Sequence, residues 1–176
     1  RPSSGELIRQ FVSKGFPLVP PGGRSFAYAP DVAAGMVAAL TRAPKGGVYL
    51  LGGANLTYRD FFTRVAAQAG ISAPKGTLPG AAITGAGALG SLVAKLGGPK
   101  KGLDSTLARL AQCGAYYSSD KAVRDLDYPQ TPVEIGIRDT LRCLVEYGHL
   151  PRRPAGPFSG KVALVRNMRN WRTGEK

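Results

Sequence analysis

Apolar positions recur at three- and four-residue intervals along much of this chain, and in one short run they crowd together without interruption. SSGELIRQFVSKG puts Leu7, Ile8 and Phe11 on one helical face, with Ser3 or Ser4 as cap, Glu6 in the first turn and Gly15 as the stop. FPLVPPGGRSFAYA follows as extended chain broken by Pro20, Pro21, Gly22 and Gly23, and the alternation at SFAYA predicts a short strand. PDVAAGMVAALTRA returns to helical spacing through Val32, Met36 and Leu40, with Asp31 as the expected N-cap. GGVYLLGG, a nearly continuous apolar run between glycines, predicts a strand buried on both faces. LTYRDFFTRVAAQAG is helical again, with Thr57 as cap, Asp60 three residues on and Gly70 as the stop.

Beyond Pro74 the pattern is mainly helical: an Ala- and Gly-rich segment to about Leu96, then LDSTLARLAQ, a short extended AYYSS, and DKAVRDLD capped by Ser118 or Ser119. QTPVEIGIRDTLRCLVEYGHL carries a capping box, with Thr131 as cap, Pro132 in the first helical position and Glu134 in the third. Its stripe is Val133, Ile137, Leu141 and Leu144. PRRPAGPFSG breaks this order and reads as a linker. The expected organisation is an α/β domain over residues 1–150, mainly helical with a few short strands, followed by a basic tail at 151–176.

Composition narrows the class. At 176 residues and 43% hydrophobic content the chain can bury a real core and is not of disordered type. RPSSGELIRQ has no apolar signal region, and an Arg in place of an initiator Met points to a processed product or a fragment. Cys113, Cys143 and the single His149 lack metal-ligand spacing, so neither a zinc site nor a disulfide framework is expected, which suits a cytoplasmic location. The uncharged run from Gly76 to Ala94 is long enough to span a membrane, yet its Gly, Ala, Thr and Ser content makes transfer weak, and no membrane partner is expected. The net charge of +13 is uneven, since residues 151–176 carry +6 of it. A basic tail with one Trp among arginines could contact nucleic acid as a binding module; the plainer reading is a solvated appendage.

Two short motifs suggest dehydrogenase chemistry. TGAGALG has G-x-G-x-x-G at Gly85, Gly87 and Gly90, and YYSSDK has Y-x-x-x-K at Tyr117 and Lys121. With 24 glycines in the chain, the first is expected by chance about 0.4 times. A dinucleotide loop leaves a buried strand and opens a helix, whereas APKGTLPGAAIT upstream holds Pro74 and Pro79 and makes a poor strand. A catalytic Tyr and Lys must share a helix face, and the capping residues Ser118, Ser119 and Asp120 stand between these two. A self-contained dehydrogenase built on these five residues is therefore the weakest reading.

The ordered segments GGRSFAYAPDVAAGMVAAL, GGVYLLGGANLTYRDFFTRVA and YYSSDKAVRDLDYPQTPVEIGIRDTLRCLVEYG resemble the C-terminal half of extended short-chain dehydrogenase/reductases. Within these the chain looks most like the NAD-dependent epimerase/dehydratase family and its dihydroflavonol-reductase-like members, over roughly residues 3–149. The sequence departs from the family at Tyr28 and Pro30, where His and Asp are usual, and at Asp127, where Gly is usual. The resemblance implies the substrate-side portion of an NAD(P)-binding Rossmann-type fold, with the N-terminal nucleotide-binding half, its glycine loop and its catalytic Ser, Tyr and Lys upstream of Arg1. It implies a cytoplasmic, homodimeric parent enzyme using NAD or NADP on a sugar nucleotide or a small carbonyl or alcohol substrate, and a chain that is inactive alone. Arg24 matches an Arg that grips the substrate diphosphate in sugar-nucleotide epimerases; Tyr28 and Ser3 are expected near the same substrate.

Overall fold

The computed structural model describes residues 4–85, 88, 109 and 112–150. Its elements are α1 (Ser4–Lys14), β1 (Leu18–Val19), β2 (Gly23–Phe26), α2 (Ala29–Arg42), β3 (Ala54–Thr57), α3 (Tyr58–Ala69), β4 (Gly76–Thr77), β5 (Gly114–Ala115), α4 (Asp120–Leu126) and α5 (Val133–Glu146). They fall into two compact units, one of residues 1–17, 60–75 and 134–176 and the other of 18–59 and 76–133. Ser3, Gly87, Gly90 and the tail at 151–176 lie outside the described residues.

The first unit is helical. α1 buries Ile8, Phe11 and Val12, α3 buries Phe61, Phe62, Val65, Ala66 and Ala69, and α5 buries Ile137 and Leu141. Their spacing of three and four is what puts each set on one helical face. The Phe11 ring lies 4.7 Å from Phe62 and 5.6 Å from Phe16, within the range where aromatic rings attract edge-on or tilted. Gly15 and Gly70 end α1 and α3 in the left-handed region, at φ 69° and 66°, as the sequence predicts. An Arg64–Glu134 ion pair and a 2.8 Å bond from Gln68 Nε2 to the Glu134 carbonyl tie α3 to the start of α5.

The second unit contains the strands. β2 lies between β3, to which it pairs antiparallel, and β5, to which it pairs parallel; β1 and β4 form a separate parallel pair. α2 and α4 enclose a small core in which Ala122, Leu126 and Tyr128 are buried against Ala38, Ala39, Ala43, Tyr49 and Leu51. Gly35 lets the Tyr128 ring approach α2, since a Cβ there would stand 2.7 Å from Tyr128 Cδ2.

Four local expectations change. The strand forms at Gly23–Phe26, ahead of SFAYA, because Ala27 and Tyr28 already lead into α2. Asp31 is not the N-cap of α2: the helix begins at Ala29, Pro30 being tolerated in a first turn, and Tyr28 occupies the cap position. The Asp31 carboxylate instead accepts 2.8 Å bonds from the Thr131 N–H and the Thr131 hydroxyl, 100 residues away in sequence. That engagement takes the Thr131 N–H that a capping box would have joined to Glu134. Finally, residues 47–53 form no strand, Gly46 stands in a turn at φ 79°, and Val48 and Leu50 are 77% and 54% exposed. A continuous apolar run needs a layer on each side to become a buried strand, and here only the Tyr49 and Leu51 side has one.

Candidate functional site

The sheet of the second unit presents Arg24 in the middle strand, opposite Leu56 of β3 and Ala115 of β5. Arg24 Nε and Nη2 donate to the Tyr58 hydroxyl at 3.1 and 2.8 Å, and the guanidinium carbon stands 5.4 Å from the Tyr58 ring centroid. Tyr58 is 8% exposed, so a buried phenol fixes one edge of a partly buried guanidinium. Fixing that edge leaves the Nη1 amino group to bind elsewhere, because guanidinium carries five donors in a rigid fork.

Close backbone approach shapes the opposite face of the sheet. A Cβ at Gly23 would stand 2.4 Å from both the Leu56 carbonyl and the Tyr116 hydroxyl, and one at Gly114 would stand 2.5 Å from the Tyr116 ring. The half-exposed Tyr116 thus lies over two neighbouring glycines of β2 and β5. The Asn55 side chain, on β3, bonds both backbone groups of Tyr117 at 2.9 and 3.3 Å, which holds the chain after β5 against the sheet. Neighbouring strand residues point to opposite faces, so Tyr116 covers the Gly23 face while Arg24 is a cationic fork steadied on the other by the Tyr58 phenol, a setting suited to an oxyanion.

The serines anchor the neighbouring backbone. Ser25 Oγ accepts from the Gly53 N–H at 2.9 Å, and the buried Ser119 Oγ accepts from the Gly52 N–H at 2.8 Å. Ser119 stands at the N-cap position of α4 but its hydroxyl makes no cap bond; the Ser118 hydroxyl accepts from the Asp120 N–H at 3.1 Å. Asp127 ends α4 at φ 51°, and Arg42 pairs with its carboxylate. Asp is accommodated there, since a short polar side chain tolerates the left-handed region.

The three expected substrate residues are treated unequally by the structure. Arg24 has the setting described above. Tyr28 is partly buried at the cap position of α2, beyond the end of β2. Ser3 lies outside the described residues. No local motif in the sequence marks Tyr58; only the fold brings it to Arg24.

The two dehydrogenase motifs separate. Tyr117 is half-exposed in extended chain ahead of α4, while Lys121 lies on α4 with Nζ 2.9 Å from the Val48 carbonyl and 4.4 Å from the Tyr49 ring centroid. Burial first, and then the Asp125 carboxylate, raise the pKa of the Tyr49 phenol above its ordinary value. Gly85 lies in a helical stretch described over 80–85, and a Cβ there would meet no described residue within 4 Å. A dinucleotide loop needs its first glycine in a tight turn between strand and helix. The described residues at Gly85 thus do not fit a nicotinamide dinucleotide. Among the described residues no cluster of three or more His, Cys, Asp or Glu could hold a metal ion, and no helix is long and apolar enough to cross a membrane.

No protein-family model matches the chain. It is 27% identical over 153 residues, 84% of its length, to a curated Synechocystis protein described as "Putative dihydroflavonol 4-reductase". The resemblance is to a dihydroflavonol-reductase-like chain. The fold agrees with it: the crystal structure of gox2253 matches with a TM-score of 0.70 and 27% identity over 84% of this chain. The UDP-glucuronic acid 4-epimerase of Bacillus cereus, solved in complex with NAD, matches at 20% identity over 81% of the chain and 40% of its own, with a TM-score of 0.49, a level that carries no weight. The chain spans about half the length of the relatives it matches, 44% of the Synechocystis protein and 45% of gox2253.

Proposed function

We propose that this chain forms the substrate-side part of an NAD(P)-dependent reductase or epimerase, with Arg24 as the cationic anchor for a phosphate or other oxyanion on a sugar nucleotide or small carbonyl or alcohol substrate. The observation that carries this reading is the 153-residue likeness to the Synechocystis reductase. The Arg24 geometry supports the anchoring role. Tyr58 holds the Nε edge, so the fork meets its ligand with less orientational freedom to lose. Tyr28, at the head of α2, would contribute to the substrate's surroundings. In this reading hydride transfer to or from the nicotinamide, and the proton transfer beside it, use residues this chain does not contain.

Two measurements test it. NADH and NADPH titrated into the chain at low and high salt should show no saturable binding and no turnover; binding that survives high salt would return Gly85 to the phosphate-loop role and sink the reading. UDP added to the chain should shift the Leu56 and Ala115 backbone N–H resonances, which flank Arg24, and the shifts should vanish in Arg24→Lys, which keeps the charge and loses the fork. A Lys variant that responds as the parent does removes Arg24 from the site. The nucleic-acid reading of the tail finds no support among the described residues.

A further inference from the structure

A guanidinium offers an anion two paired edges. One is made by Nε and Nη2, the other by Nη1 and Nη2, and the Nη1 hydrogen that turns back toward Cδ pairs with neither. In Arg24 the first edge is occupied: Nε and Nη2 both donate to the Tyr58 hydroxyl, at 3.1 and 2.8 Å. Tyr58 is itself held. The residue is 8% exposed, and its N–H donates at 3.0 Å to the carbonyl of Gly22, the residue before β2, so both ends of Tyr58 are tied to the strand that carries Arg24.

What is left is the Nη1–Nη2 edge, which matches two oxygens of one carboxylate or one phosphoryl group. A diphosphate asks for more, since gripping both of its phosphoryl groups takes both edges of one arginine or a second cation. The strand partners on Arg24's face supply no second cation: Leu56 and Ala115, opposite it in β3 and β5, are uncharged.

We infer that Tyr58 is a positioning residue that sets the specificity of the Arg24 anchor, restricting it to a substrate that presents a single phosphoryl or carboxylate group rather than a diphosphate. The hydroxyl acts through Arg24, by occupying the edge that a second phosphoryl group would use. The inference rests on the proposed function's placing of Arg24 at the substrate, and narrows that substrate's class.

UMP and UDP titrated into the whole chain, followed at the Leu56 and Ala115 N–H resonances, test it. In about 0.15 M salt much of the extra charge on UDP is screened, so the parent should bind the two within about threefold of each other. Tyr58→Phe keeps the buried ring and frees the Nε edge, so UDP should gain about tenfold on UMP, the effect of one added charge-assisted bond. A general loosening of the site would weaken both ligands alike and leave that ratio unmoved. The α3 amides should be as protected in the variant as in the parent; where they are not, the parent's Arg24 Nε–H decides, and it should exchange no faster with UDP bound than without. A uridine bearing a carboxylate in place of the phosphate separates the two anions: binding of either it or UMP supports the single-anion edge, and binding of neither overturns it. An unchanged ratio in Tyr58→Phe, a parent that prefers UDP by more than about tenfold, or release of the Arg24 Nε–H by UDP overturns the inference and leaves Arg24 as an anchor. Binding that Arg24→Lys does not alter overturns the anchor itself, and the inference with it.

Discussion

Tyr128 is 2% exposed, and its hydroxyl has no hydrogen-bond partner among the described residues, an arrangement that costs desolvation without return. Tyr128→Phe keeps the ring that packs on Gly35 and removes the burdened oxygen. The variant should be more stable than the parent by about 1 kcal/mol in urea denaturation. Glu6 gives a pH dependence. Hydrogen bonds from Arg9 and then Gln10 bring its pKa from 4.5 down to about 2. A carboxylate held more strongly in the folded state contributes stability that is complete above the unfolded value and fades as pH falls through the folded one. The stability gap between parent and Glu6→Gln should thus be constant above about pH 5 and close between there and pH 2. A gap unchanged at pH 2 would mean that the Arg9 bonds do not contribute in solution.

Among the elements, the helices were legible and the strands were not. α1, α3 and α5 follow from apolar spacing of three and four with glycine stops, which are properties of the segment itself. A strand is a relation between segments, and β2 rests on its pairing with β3 and β5 rather than on its own four residues. The run at 46–53 shows the same limit from the other side, since its apolar content specifies what it would bury but not whether a layer is there to bury it. Asp31 had a cap's address in the sequence and a partner 100 residues on in the structure, which no local signal announces. The candidate site was legible at Arg24 through resemblance alone, and its neighbour Tyr58 only through the fold. The sheet's tightest constraint is Gly53, where a Cβ would lie 2.2 Å from the Phe26 carbonyl at the end of β2. Gly53→Ala should separate β3 from β2 there and cost roughly 1–3 kcal/mol, with loss of Arg24 Nε–H protection as its local sign. A variant as stable as the parent would show that the two strands have slack.

Across the molecule, charge and apolar surface work against each other. The excess of positive charge keeps copies apart, while the exposed apolar positions of α2 favour association. Raising the salt concentration screens the first and leaves the second. Leu40→Glu should change the unfolding free energy by no more than about 0.5 kcal/mol, since the side chain is 84% exposed, and should raise the concentration at which light scattering still reports a monomer in 0.5 M salt. A large loss of stability would place Leu40 inside the fold after all.

The bonds between Asp31 and Thr131 join the head of α2 to the approach to α5 across most of the described chain. Loop-closure entropy makes such a contact one of the dearest to form early, so it belongs on the native side of the folding barrier. An interaction made after the barrier leaves the folding rate alone and slows the reverse step. In the time domain, then, Asp31 acts as a latch: it does little to decide how quickly the chain arrives at its fold and much to decide how long it stays.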